Sequence, residues 1–167
     1  MLDQLIKLVE QNAGKAIVQN DAIPNQHNQA AITEVATQIF DGLKGQVSQG
    51  NLQDVVSMFK GNSSVTSLTS NPLVTQLISQ VAGKLAAKFG ISQQQAQSIA
   101  NSVLPTVMNQ FVNKTNNPDD RDFDLGDIVK NFTGNSGFDL NNVGDLLGKA
   151  TSGKGGDALG GLGKLFQ

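Results

Sequence analysis

Three aspartates, Asp120, Asp122 and Asp124, stand at alternate positions, the spacing with which a calcium-binding loop begins. The rest of such a loop is missing. Leu125 occupies the place where glycine makes the sharp turn, and Asn131 stands where a bidentate glutamate would close the shell. A solvated acidic linker that caps a helix starting at Leu125 fits these residues better than a cation site. Enzyme chemistry has less to work with. The chain holds no Cys and one His, which removes thiolate metal sites, cysteine nucleophiles and most histidine-based mechanisms. His27 lies in Asn25-Gln26-His27-Asn28-Gln29 after Pro24, a polar stretch suited to a surface imidazole. No acid occurs between residues 55 and 118, so a hydrolytic pair of carboxylates would have to converge from distant positions. The Gly-rich C-terminal stretch lacks both Gly-Lys-Ser/Thr and a preceding strand, so it is no phosphate loop. No enzyme activity, cofactor, metal or small-molecule substrate is expected.

The remaining motif with chemistry in it is a helix-turn-helix-like corner over 85–99. It reads Leu85-Ala-Ala-Lys88-Phe89-Gly90-Ile91-Ser92-Gln93-Gln94-Gln95-Ala96-Gln97-Ser98-Ile99. Gln93, Gln94 and Gln97 could read adenine edges. Phosphate contacts usually supply most of the affinity for DNA, and no Lys or Arg occurs between Lys88 and Lys114. A Gly-terminated helix followed by a Ser cap gives the same pattern, so the corner reads first as structure and DNA binding is the alternative.

These residues must be positioned by helices, because apolar residues recur with the 3.6 period and strand-like alternation is missing. Leu2, Leu5, Ile6, Val9, Ala13, Ala16 and Ile17 make one stripe. Ile32, Val35, Ala36, Ile39, Phe40, Leu43 and Val47 make a second. Leu52, Val55, Val56 and Phe59 form a short helix that Asn51 and Asp54 would open in capping-box fashion. Asn71-Pro72 starts a helix through Leu73, Leu77, Val81 and Leu85 that Gly90 ends. Ser92 with Gln95 starts the next, along Ala96, Ile99, Ala100, Val103, Leu104, Val107, Met108, Phe111 and Val112. Pro105 inside it predicts a kink or break. The fold class is all-α: a multi-helix bundle over 1–115, then a linker and a Gly-rich tail of short amphipathic helices over 116–167.

One pattern recurs. Leu52-Gln-Asp54-Val55-Val56-Ser-Met-Phe59-Lys-Gly61-Asn62 aligns position for position with Leu125-Gly-Asp127-Ile128-Val129-Lys-Asn-Phe132-Thr-Gly134-Asn135. Val143-Gly-Asp145-Leu146-Leu147 repeats the first half, and Leu159-Gly-Gly-Leu162-Gly-Lys164-Leu165-Phe166 echoes it loosely. Phe123-Asp124-Leu125 and Phe138-Asp139-Leu140 introduce two copies, with Asp124 and Asp139 as N-caps. Each copy is two turns closed by Gly, too short to be stable alone. They read either as peripheral helices packed on the core or as helices that dock in a groove of another molecule. The second reading makes Phe123, Leu125, Ile128, Phe132, Phe138, Leu140, Leu146, Leu147, Leu162 and Phe166 the candidate interaction residues.

Several of these motifs also carry a resemblance. Asn51-Leu-Gln-Asp-Val-Val-Ser-Met-Phe-Lys-Gly, Asn71-Pro-Leu-Val, Leu85-Ala-Ala-Lys-Phe-Gly-Ile-Ser, Gln95-Ala96 and Leu104-Pro105 resemble the YidB-like group, a bacterial family of all-helical domains. The resemblance spans roughly residues 45–165. It implies an all-α bacterial protein and brings no activity, cofactor or catalytic residue with it.

Charge points the same way. The net charge is −2, and the blocks 1–60, 61–118 and 119–167 carry −2, +3 and −3. No global field draws the chain to nucleic acid or anionic lipid. The N-terminus meets Asp3 at once, and no apolar run reaches signal-peptide or membrane-spanning length. The sequence thus predicts a cytoplasmic, non-enzymatic protein that acts by protein–protein contacts, with itself or another protein as partner. Neither nucleic acid nor membrane is expected as a partner.

Overall fold

The computed structural model describes residues 1–61, 64–117, 119–120 and 123–133, all of which belong to the first of the chain's two compact units, Met1–Asn135. Their regular structure is all helical, with no strand among the described residues. Helix α1 (Leu2–Asn12) runs through a π turn (Gly14–Val18) and a 3-10 turn (Asn25–His27) into α2 (Asn28–Ser48). Then come α3 (Leu52–Lys60), α4 (Val65–Thr69), α5 (Pro72–Phe89), α6 (Gln93–Thr115) and α7 (Leu125–Thr133).

Local signals set most of these boundaries. The Asn71 side chain accepts from the Leu73 N–H at 2.9 Å, with Pro72 in the first helical position. Gly90 ends α5 in the left-handed region at φ +66°, where a Cβ would be strained. Ser92 and Gln95 form a full capping box at the start of α6. That helix continues without interruption past the buried Pro105 to Thr115. Pro105 donates no N–H, so the Asn101 carbonyl gives up its intrahelical bond, and packing on both sides makes the break unnecessary.

Helices α5 and α6 pack along each other and form the centre of the unit. Helix α2 lies across α1, α5, α3 and α7, while α1 also reaches α6. Two neighbours widen the buried face of α1 beyond one stripe, so Leu8 is buried although it lies off the expected row. The approach of α2 to α5 is close: a Cβ on Gly42 would collide with the Leu77 side chain. Three aromatic rings then run in series on the far side of α6. Phe59 meets Phe111 edge to face at 4.8 Å, and Phe111 meets Phe123 at 5.7 Å.

Neutral amides, more than ion pairs, tie the helices together. Asn12 and Gln110 exchange two hydrogen bonds of 3.0 and 3.1 Å between α1 and α6. Gln46 donates to Gln76 at 2.8 Å and accepts from Asn51 at 2.8 Å. The second bond changes the start of α3. With its amide turned to Gln46, Asn51 makes no side-chain cap, and the capping box expected with Asp54 does not form. Beyond α6 the chain returns to the bundle: Phe123 and the apolar residues of α7 are buried, and Met1–Asn135 forms one compact unit.

Candidate interaction site

The repeat noticed in the sequence is also a repeat of structure. Helices α3 and α7 are each nine residues long, start at the matched Leu52 and Leu125, and both pack on α2. The matched Val55 and Ile128 are buried, as are Phe59 and Phe132, while the matched Asp54 and Asp127 face solvent. Phe132 packs against Phe40 of α2 at a centroid distance of 5.4 Å. The spacing i, i+3, i+4, i+7 places the apolar residues on one side of two short turns, so a single face meets the bundle.

Asp124 launches α7 as expected. Its Oδ1 accepts from the N–H groups of Gly126 at 2.8 Å and Asp127 at 3.2 Å. This places a carboxylate on the positive end of the helix dipole. Just before it, Phe123 is 6% exposed, wedged edge-on against Phe111 beneath the Lys114 ammonium. Lys114 also pairs with Asp120 at 2.8 Å. Two of the three alternating aspartates are therefore committed, one to a lysine and one to a helix cap. Asp122 lies outside the described residues. No group of three His, Asp or Glu that could hold a metal ion occurs among the described residues.

The candidate interaction residues thus fall into two sets. Phe123, Ile128 and Phe132 are buried in their own chain, together with Val129, and Leu125 is half-buried. Phe138, Leu140, Leu146, Leu147, Leu162 and Phe166 lie outside the described residues. Val129 was not among the candidates. Its place four residues after Leu125 and three before Phe132 gave the signal, since that spacing puts it on their face of the helix.

The corner at 85–99 is built as a cap. Gln95 is used in the capping box, and Lys88 reaches across to Glu34 of α2 at 2.6 Å. Gln93, Gln94 and Gln97 face solvent. His27 is exposed, with its ring 6.2 Å from that of Phe89.

Sequence reading also missed an open groove of about 520 Å³ where α3, α4 and α5 meet. Asp54, Ser57, Met58 and Gly61 line it from the α3 side, Ser67 and Leu68 from α4, and Asn71, Pro72 and Leu73 from the start of α5. Helix α4 itself was unforeseen, because Val65 and Leu68 are too few to make a period. Ser64 caps it through the Ser67 N–H at 3.1 Å.

No described helix is long and apolar enough to cross a membrane. No curated protein and no solved structure matches the chain. Residues 70–166, more than half of the sequence and inclusive of α5, α6 and α7, match the model of a family described as bacterial protein of unknown function (DUF937), and the chain belongs to that family.

Proposed function

We propose that the protein is a non-enzymatic cytoplasmic component that works through protein–protein contacts, first of all with copies of itself, using the short amphipathic helices repeated along its C-terminal part. The observation that carries this reading is the pair α3 and α7. Two segments with one sequence pattern dock on the same helix through the same positions, Val55 with Ile128 and Phe59 with Phe132. The pattern is therefore a docking pattern in this protein. It recurs at 143–147 and 159–166.

Phe123, Ile128 and Phe132 are buried in their own chain and hold α7 to its bundle, with Leu125 half-buried beside them. On this reading contact with another molecule falls to Phe138, Leu140, Leu146, Leu147, Leu162 and Phe166. The DNA alternative has less support, since the corner offers a duplex neutral amides and one lysine already paired to Glu34.

The test is sedimentation velocity on the full chain beside a chain ending at residue 135. A cut at 115 would strip Phe132 from Phe40 and Phe123 from Phe111 and so confuse assembly with unfolding. The full chain is expected to gain mass with concentration while the 1–135 chain stays monomeric. A full chain that remains monomeric at every concentration would sink the reading.

A further inference from the structure

The groove between α3, α4 and α5 has the features of a receiving site. Asp54, Ser57 and Met58 follow one another at i, i+3 and i+4, so they share one face of α3, and Gly61 lines the groove just past the helix end. Opposite them stand Pro72 and Leu73 at the first turn of α5, with Leu68 between. Its lining mixes apolar residues with hydroxyl and amide groups, and Asp54 is the one charged residue lining it among the described residues. Such a cleft, with a single acid, calls for an apolar segment carrying a single base.

The chain contains such a segment. Leu159-Gly-Gly-Leu162-Gly-Lys164-Leu165-Phe166 has four large apolar residues, and its only charge is Lys164. Its glycines present no side chain, so the backbone could come close to the Ser57 and Ser67 sides of the cleft. The segment is also an echo of the helix pattern that docks through Phe59 and Phe132.

We propose that the α3–α4–α5 groove binds residues 159–166 of a second copy of the chain, with Lys164 of the incoming segment paired to Asp54. This rests on the self-association reading and names the surface on which it occurs.

Charge reversal in the full chain tests it. Asp54→Lys and Lys164→Glu are each expected to weaken association about tenfold, because a small attraction becomes a repulsion. Combining both in one chain restores the pair and should restore association, a rescue that damage to α3 would not give. Far-UV circular dichroism checks that each variant keeps its helices. The chain has no cysteine, so mixing an Asp54→Cys chain with a Lys164→Cys chain and adding a bis-maleimide, which alkylates both thiols across an ion-pair separation, should link the two into a dimer. Carrying both cysteines in one chain and finding only an internal link would overturn the proposal in favour of each chain's own tail. Association that persists unchanged through both reversals would overturn the groove and leave self-association standing. A full chain that never associates would overturn both.

Discussion

Helices α3 and α7 share length, register and the positions of two anchoring residues, yet the bundle holds them differently. Helix α3 sits against both α2 and α6, and it buries Met58 as well as Phe59. Helix α7 has α2 as its main support. The residue matching Met58 is Asn131, which faces solvent and donates to the Asp127 carbonyl of its own helix at 2.7 Å. The starts differ in the opposite sense: α7 has a side-chain cap from Asp124, and α3 has none because Asn51 is drawn into the Gln46–Gln76 network. A docking helix with one wall needs help from its own cap. A helix with two walls can give its cap residue to the core.

That contrast orders the effects of breaking each part. Phe59→Ala should cost about 3–5 kcal/mol, a large share of the stability of a domain this size, because it opens a cavity beside Phe111. Urea unfolding followed by far-UV circular dichroism should show one cooperative transition at a lower midpoint. If α3 instead came off alone, the two helices would be equivalent after all. Phe132→Ala removes the same ring from the weaker site and should cost less, about 3 kcal/mol or under. Its cost is capped by the free energy that docks α7, since undocking is an alternative to tolerating a cavity. Hydrogen exchange should then speed up over 125–133 and leave 52–60 protected. The smallest effect belongs to Asp124→Ala, about 1 kcal/mol from the lost cap. Exchange measured residue by residue should rise in the first turn of α7 and nowhere in α3.

Much of this was legible in the chain. The caps at Asn71, Ser92 and Asp124 and the stop at Gly90 depend on groups within a few residues of one another, so sequence spacing reveals them. The stripes on α2, α5 and α6 were legible for the same reason, because burial follows a period that the chain itself writes. Asn51 was misread because its partner Gln46 belongs to another helix, and only the packed bundle brings Gln76 to meet them. The groove was not legible at all. Asp54 and Ser57 share a helix face by spacing, but Leu68 and Leu73 join them only through folding.

What the sequence by itself determined is therefore where α5, α6 and α7 begin, which face of the long helices is apolar, and that 52–60 and 125–133 follow one pattern. What only the tertiary structure decided is what covers each face. Phe132 reads alike whether it fills its own bundle or a neighbour's, since an apolar period encodes a demand for burial and names no partner. The fold met that demand by placing Phe40 of α2 within reach of Phe132 and Phe111 within reach of Phe123. Both contacts join different segments, the first of them far apart in the chain, and hydrophobic attraction carries no direction that local spacing could record.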